Sequence, residues 1–178
     1  MRPPEYVDVV DEQRRPLGKT VPRGAALGPG EYLTVVHVCL FDSQGRMLIQ
    51  RRQSCKEEYP DLWDLTAGGG VRAGEDSRTA IRRELLEELG LDLDFSGLRP
   101  YLTVNFDDGF DDIYLVELPD PPDIASLHLQ PSEVRDARWV DRPTAEAMLD
   151  DGAFAPFYRD FLGLLFAMQG RPMGFLRP

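Results

Sequence analysis

Short hydrophobic runs of strand length alternate with turn-forming residues along most of the chain. Residues 33–41 are rich in β-branched and aliphatic side chains, a composition typical of a buried strand. The turn residues 42–45 lead into a second run at 46–51, so these two segments are predicted to form a hairpin. The same criteria predict further strands at 6–10, 63–67, 100–105, 112–117 and 134–140.

Helical periodicity is found between and after these strands. Residues 77–89 are the strongest predicted helix, which Gly90 closes in the usual position after a helix end. Weaker helical patterns occur at 144–149 and 154–168, and the hydrophobic face of the second is expected to pack on a sheet. Because strands dominate and helices interrupt them, we predict an α/β fold with helices flanking a curved mixed β-sheet. Turns or irregular backbone are expected at 16–19, 19–31, 68–70 and 107–111.

Length and charge narrow the class of protein. The chain has 178 residues, which at roughly 150 residues per domain predicts one domain. Asp and Glu number 31 against 20 Lys and Arg, which gives a formal net charge of −11. This charge argues against nonspecific binding to nucleic acid or anionic membranes, because both are polyanions. The net charge does not exclude a small phosphorylated ligand, provided that a metal ion, Arg or Lys in the binding site neutralises the phosphate.

Cysteine content and hydropathy predict a soluble cytoplasmic protein. Cys39 and Cys55 are too few for a disulfide-rich scaffold and fit a reducing compartment. No hydrophobic run approaches the roughly 20 residues needed to cross a bilayer. The first residues also show no hydrophobic signal region.

The predicted helix at 77–89 gathers three carboxylates on one face. At about 100° per residue, Glu84, Glu87 and Glu88 fall within an arc of about 100°. Ile81, Leu85, Leu86 and Leu89 are expected on the other side, against a core. The carboxylates repel one another and lie near the negative end of the helix dipole. A divalent cation with a preference for hard oxygen ligands, Mg²⁺ or Mn²⁺, would remove both penalties. The alternative is a solvated acidic face, partly neutralised by the arginines of the same helix.

The spacing around this helix resembles the Nudix box. Gly69 is followed after five residues by Glu75, and after seven more by Arg83-Glu84-Leu85-Leu86-Glu87-Glu88-Leu89-Gly90-Leu91. This set of fixed positions is far more specific than a lone glycine-rich motif. The resemblance implies a Nudix α/β/α sandwich at 31–170, with an N-terminal extension at 1–30 packed on it and a C-terminal tail at 171–178.

The resemblance also implies an activity. Most Nudix proteins hydrolyse a diphosphate linked to another moiety, and they need Mg²⁺ or Mn²⁺. By similarity, Glu84, Glu87 and Glu88 ligate the metal, together with the backbone carbonyl of Gly69. Glu75 and Arg83 complete the catalytic set by holding the loop and orienting the carboxylates.

Residues outside the box are predicted to complete the site. An acidic turn at 107–112 is the first choice for a further metal ligand or general base, with Asp111 as the metal ligand; a plain solvated turn is the alternative. Glu133 is a weaker candidate. Arg51, Arg52 and Lys56 are candidate phosphate ligands, because Arg binds phosphate in a bidentate way, or else belong to a solvated loop. Trp63 and Phe106 are expected in the core rather than stacked on a base.

A narrower resemblance points to isopentenyl-diphosphate isomerases. It rests on 47–52, Lys56, Tyr59-Pro60 and Trp63-Asp64. That family places a catalytic Cys and a metal-binding His just before the helix loop, where this chain has Leu65-Thr66-Ala67-Gly68-Gly69-Gly70. The other metal-binding histidines of that family lie on the strand that corresponds to residues 33–41. His37 is the histidine on that strand here, and its position is not expected to match theirs. Cys55 comes too early in the chain to be the catalytic thiol. We therefore predict a hydrolase from the isomerase-like branch.

Several properties stay open at the level of sequence. The isomerase, or a sensor that binds a phosphorylated ligand without turnover, remains an alternative to the hydrolase. A nucleoside-diphosphate-linked or other organic diphosphate is the expected small-molecule partner, but its identity is not readable. The last helix and the N-terminal strand can build a homodimer contact, which periodicity does not separate from intramolecular packing.

Overall fold

The computed structural model of the protein describes residues 5–171. A large mixed sheet carries helices on both faces, and a two-stranded sheet lies beside it. The strands are β1 (Tyr6–Val10), β2 (Pro16–Pro22), β3 (Leu33–Asp42), β4 (Met47–Arg52), β5 (Trp63–Asp64), β6 (Ala67–Gly70), β7 (Leu102–Phe106), β8 (Gly109–Leu118) and β9 (Val134–Val140). The helices are α1 (Ser77–Leu89), α2 (Arg142–Asp150) and α3 (Arg159–Met168), with one 3₁₀ turn at Ile124–Ser126.

Strand β3 organises the large sheet. It pairs in parallel with β8 along its whole length, from Leu33 opposite Gly109 to Asp42 opposite Leu118. Its other edge is divided between β6, which pairs antiparallel with its first half, and β4, which pairs with its end. Strand β4 continues the sheet to β5 and β9, while β7 extends it beyond β8.

Two hydrophobic cores lie on opposite faces of this sheet. The alternation of β3 sends Val36, Val38 and Leu40 into a core shared with the hydrophobic face of α1. Cys39 and Phe41 enter the other core, which includes residues of α2 and α3. This is the α/β/α sandwich that the sequence predicts, and Cys39 is fully buried in it.

The β1–β2 hairpin is attached to the edge of the domain by its backbone. The amide and carbonyl of Val10 bond those of Tyr32, and the Ala73 amide donates to the Tyr6 carbonyl over 2.8 Å. Within the hairpin, the side chains of Val7 and Val9 are buried. The predicted turn at 16–19 and irregular segment at 19–31 are therefore wrong in part, because 16–22 pairs as β2.

The glycine run and the acidic turn differ from their predictions. Gly68–Gly70 does not break a strand but forms most of β6, because it pairs with β3. The predicted strand at 63–67 is two short strands, β5 and β6. The acidic turn is shorter than expected, since Asp111 and Asp112 lie within β8.

Two packing predictions and one helix boundary also need correction. Leu86 is 48% exposed, because the buried stripe of α1 includes Glu84 and Glu88 instead. Phe106 is 42% exposed rather than in the core, whereas Trp63 is buried as expected. The helix predicted at 154–168 begins only at Arg159, because Phe154 forms a bridge with Trp63.

Helix α1 agrees with its prediction at both ends, and the strands at 6–10 and 134–140 agree as well. Within 5–171, no helix is long and hydrophobic enough to cross a membrane. Most of the tail predicted at 171–178 lies outside the described residues.

Candidate active site

The caps of α1 fix the position of its carboxylates. Asp76 accepts a hydrogen bond from the Thr79 amide over 2.8 Å at the N-terminus. Gly90 adopts a left-handed conformation with φ 72°, and its amide bonds the Leu86 carbonyl. Between these ends, Glu84 and Glu88 are each only 7% exposed. The helix thus holds two carboxylates at the edge of the hydrophobic core between α1 and the sheet.

Glu88 is the most deeply embedded of the box glutamates. Its Oε2 accepts from the Gln50 side-chain amide over 2.8 Å and from the Gly68 amide over 3.4 Å. Burial and the nearby charge of Glu84 raise the pKa of Glu88 to about 8, despite these hydrogen bonds. Its partners are neutral, so the charge of an ionised Glu88 is not balanced by them.

Glu84 lies directly over the glycine strand. A Cβ placed on Gly69 would come within 2.2 Å of Glu84 Oε1. The Glu84 carboxylate can therefore lie this close to the strand backbone only because residue 69 has no side chain. Arg83 Nη1 donates to the same oxygen over 2.7 Å. Burial raises the pKa of Glu84, although Arg83 opposes the shift.

Arg83 joins the loop before α1 to the helix. Its Nε and Nη2 each donate to the Glu75 carboxylate over 2.8 Å, and Nη2 also bonds the Gly70 carbonyl over 3.0 Å. These bonds and Arg72 lower the pKa of Glu75 against its burial. Arg83 and Glu75 thus connect the loop before α1 to the helix.

Glu87 is the outermost box glutamate. Its carboxylate accepts from Arg72 Nη1 over 3.1 Å and from Nη2 over 3.2 Å, and it lies 3.9 Å from Arg83. The Arg72 guanidinium also bonds Glu5, which precedes β1. The hairpin is therefore connected to the carboxylate helix through Arg72.

A cavity of about 640 Å³ opens above the three glutamates. Arg52 and Lys56 line it, as do residues that the sequence analysis did not single out. Arg51 is not in its lining, since its side chain turns to the Asp61 carbonyl instead. Lys56 forms an ion pair with Glu133, which also lines the cavity. The additional lining residues are Glu5, Tyr6, Arg23, Gly68, Arg72, Ala73 and Gln130.

A second cavity of about 520 Å³ shares Arg23, Arg52 and Gly68 with the first. Aromatic side chains from β7 and from the segment around α3 form much of its wall: Phe106, Phe157, Tyr158 and Phe161. The organic part of a substrate that enters the first cavity would have room here.

His37 and Asp111 lie side by side in the second cavity. His37 Nδ1 is 2.9 Å from both carboxylate oxygens of Asp111. Burial alone would lower the pKa of His37, but Asp111 outweighs it and raises that pKa to about 9. Asp111 therefore lies with His37, and it is not in the lining of the glutamate cavity.

The other predicted carboxylates are divided between different environments. Asp112 is buried and bonded to Arg14 and Thr103, while Asp107 and Asp108 line neither cavity. Glu133 lines the glutamate cavity.

Gln50 is a functional candidate that the sequence analysis missed. The alternation of β4 places it on the same face as Leu48, which is buried against α1. A polar residue at a position where the strand pattern expects a hydrophobic one was the available signal. Arg23 and Arg72 carried no comparable signal, because Arg23 reaches the site from the end of the hairpin and Arg72 from the loop between β6 and α1.

The donor set suits a hard divalent cation. The described part of the chain contains no group of three His, Cys, Asp or Glu side chains placed to hold a metal ion. Arginines bond Glu84 and Glu87 instead. However, Glu84 and Glu88 are two buried carboxylates whose charges raise each other's cost of ionisation. A cation with oxygen ligands would relieve that cost. The residues present therefore fit Mg²⁺ or Mn²⁺.

Comparisons with known proteins agree with this geometry. The NUDIX domain model matches residues 31–161. An uncharacterized Nudix hydrolase from Listeria monocytogenes is 42% identical over 165 residues, which are 93% of this chain and 95% of that protein. The isopentenyl-diphosphate Delta-isomerase of Nocardia farcinica is 30% identical over 177 residues, covering 94% and 98% of the two chains. A crystal structure from Deinococcus radiodurans has a TM-score of 0.72 at 26% identity, covering 90% of this chain and 97% of that one. The chain thus belongs to the Nudix family of diphosphate-hydrolysing enzymes.

Proposed function

We propose that the protein hydrolyses an organic diphosphate, such as a nucleoside-diphosphate-linked compound, with Mg²⁺ or Mn²⁺ as cofactor. The observation that carries this proposal is the pair of buried carboxylates, Glu84 and Glu88, at the base of a cavity also lined by arginine and lysine. Carboxylates for a cation and guanidinium groups for phosphate are the two components that diphosphate hydrolysis needs.

In this proposal, Glu84, Glu87, Glu88 and the Gly69 carbonyl hold the metal. When bound, the metal supplies charge neutralisation of the diphosphate and a lowered pKa for a water molecule. Arg83 keeps Glu84 in place and is itself held by Glu75. Arg52 and Lys56, which line the same cavity, bind phosphate oxygens.

We propose Glu133 as the general base. It lines the same cavity as the glutamates of α1, whereas Asp111 lies beside His37 in the second cavity. A carboxylate within the cavity can accept the proton that the attacking water releases. Glu133→Gln should therefore lower kcat more than Asp111→Asn does, which steady-state kinetics of both variants would check.

Turnover of a substrate panel tests the function itself. The panel holds nucleoside-diphosphate conjugates and prenyl diphosphates, assayed with Mg²⁺, with both hydrolysis and isomerisation products recorded. Wild-type hydrolysis that falls by more than about 100-fold in Glu88→Gln supports the proposal, because the variant loses a metal ligand. Asp92→Asn is the matched control, since Asp92 is exposed and pairs with Arg82 away from the cavity.

An isomerase is the second candidate, favoured by the full-length similarity to the Nocardia farcinica enzyme. Against it, Cys39 lies in the core on the α2–α3 side of the sheet, and residues 65–70 contain neither Cys nor His. Isomerised product from the prenyl substrates would overturn the hydrolase. Ligand binding without turnover across the panel would instead favour a sensor.

A further inference from the structure

The N-terminal hairpin ends at the glutamate cavity, although it lies outside residues 31–161 of the family match. Tyr6 pairs with Pro22 at the open end of the hairpin. The next residues outward, Glu5 and Arg23, continue this pairing, since the Arg23 amide donates to the Glu5 carbonyl over 2.8 Å. The hairpin's attachment at Tyr32 and Ala73 therefore sets where Glu5 and Arg23 lie.

One carboxylate holds two guanidinium groups at this position. Glu5 Oε2 accepts from Arg23 Nη1 over 3.0 Å, while Oε1 accepts from Arg72 Nη2 over 2.6 Å. Arg72 in turn bonds Glu87 of α1. These bonds orient both arginines before any ligand arrives, which reduces the entropy lost when they bind one.

Arg23 lies at the junction of the two cavities. It lines both of them, and its Nε lies 3.7 Å from the position that a Cβ on Gly70 would take. Its positive charge also acts on Glu84, where it helps to offset the rise in pKa that burial causes. About half of the Arg23 side chain is exposed, so its guanidinium can reach a ligand.

We infer that Arg23 binds the diphosphate of the substrate at the point where the organic group leaves the glutamate cavity. Glu5 acts as the positioning residue that aims Arg23 and Arg72 at this point. The N-terminal hairpin is then part of the substrate site rather than only a packed extension. This inference rests on the proposed function, because it needs a diphosphate in the first cavity.

Calorimetric binding of imidodiphosphate, a diphosphate that resists hydrolysis and carries no organic group, tests the inference without turnover. Full-length wild type, Arg23→Ala, Arg23→Lys and Glu5→Gln are compared in the presence of Mg²⁺. Arg15→Ala is the matched control, because Arg15 belongs to the same hairpin, is 71% exposed and pairs with Asp11. Thermal unfolding of each variant shows whether the hairpin stays folded.

Arg23→Ala should weaken imidodiphosphate binding by about 10-fold or more, the usual range for a lost hydrogen bond to a charged group. Arg23→Lys should recover part of the affinity, and Glu5→Gln should lower it less than Arg23→Ala does. With the best substrate of the panel, Arg23→Ala should raise KM and leave kcat within about threefold, because the interaction is with the bound diphosphate generally.

Two results would overturn the inference, and they are distinguishable. Equal affinity of wild type and Arg23→Ala, with Arg15→Ala also unchanged, would exclude the contact and leave the proposed function intact. Failure of the wild type to bind imidodiphosphate and to turn over any diphosphate would overturn the proposed function, and this inference with it.

Discussion

At the scale of single residues, the site depends on Glu88, a buried carboxylate whose hydrogen-bond partners carry no charge. Glu88 is bonded to a side-chain amide and a backbone amide, and burial raises its pKa to about 8. A group of this kind is tolerated in a fold when function requires it. A bound cation would convert this cost into affinity, since it stabilises the ionised form.

The raised pKa predicts a pH dependence of stability in the metal-free protein. The folded-state pKa of Glu88, about 8, lies above its ordinary value of 4.5. Between pH 4.5 and pH 8 the folded state therefore keeps a proton that the unfolded state has lost. This contribution to stability is fully present below about pH 4.5 and is lost as the pH rises toward 8. Denaturant unfolding with EDTA at pH 5–9 should show that Glu88→Gln loses stability less steeply than wild type over this window.

An identical pH slope in wild type and Glu88→Gln would contradict that prediction. Glu58→Gln serves as the control, since Glu58 is exposed and lies outside the glutamate cavity. His37 contributes a slope of the same sign between 6.5 and about 9, because its pKa is also raised on folding. Part of that slope comes from the charge of Glu88, so Glu88→Gln reduces it as well and the two changes act in the same direction.

Gly69 provides a second prediction at this scale. A methyl group there would lie 2.2 Å from Glu84 Oε1, so Gly69→Ala should displace the carboxylate and lower kcat by about 100-fold. The matched control is Gly97→Ala, because a Cβ on Gly97 meets nothing within 4 Å. Steady-state kinetics and circular dichroism of both variants check the effect. Full activity of Gly69→Ala would show that Glu84 is not constrained by the strand.

At the scale of secondary structure, the functional elements are a capped helix and a strand made largely of glycine. Helix α1 forms as predicted because its N-cap, its hydrophobic spacing and its glycine C-cap are local signals. Strand β6 has little intrinsic preference for extended structure and forms because β3 offers its free edge. The absence of side chains on Gly68 and Gly69 allows His37 and Glu84 to lie over this strand.

The end of α1 supports a prediction on stability. Gly90 has φ 72°, and a Cβ there would also lie 2.7 Å from the Cβ of His128. Gly152 has a similar φ of 70° but meets nothing within 4 Å, so Gly152→Ala measures the conformational cost alone. Gly90→Ala should destabilise by about 1 kcal/mol for its left-handed conformation and by more for the crowding. Equal destabilisation of the two variants in urea would contradict the role of the His128 contact.

At the scale of the whole molecule, separate regions of the chain meet in one site. Box residues 69–91, Gln50 of β4, Glu133 before β9 and Arg23 after β2 all reach the neighbourhood of the glutamate cavity. Four cationic side chains line this cavity beside five glutamates, although the chain as a whole has a net charge of −11. Local charge, rather than net charge, therefore determines which ligand is accepted.

This arrangement predicts that Mg²⁺ stabilises the folded protein. An ion that binds the native state alone adds about 2.7 kcal/mol at 100 times its dissociation constant, so the melting temperature should rise with Mg²⁺ concentration. The double variant Glu84→Gln/Glu88→Gln should lose this rise while remaining folded, because both substitutions remove a buried negative charge. Differential scanning calorimetry with Mg²⁺ and with a matching concentration of NaCl checks the effect. A shift that is equal in the wild type and the double variant would exclude these glutamates as the metal site.

The sequence by itself determined the features that depend on near neighbours. The helix at 77–89, its glycine end, the hairpin of β3 and β4 and the identity of the box residues follow from periodicity, capping and fixed spacing. These signals act over a few residues, so they can be read without knowing the fold. The α/β/α class followed from the order of elements together with the resemblance.

Tertiary structure alone decided which side chains meet. The parallel pairing of β3 with β8 places Asp111 beside His37, although they are 74 residues apart in the chain. Successive side chains of a strand point to opposite faces. Arg52 therefore lines the cavities, whereas its neighbour Arg51 turns to the Asp61 carbonyl. The hairpin brings Arg23 to the site by backbone pairing that its own sequence does not indicate. Such contacts depend on the register between distant strands, which local sequence preferences do not specify.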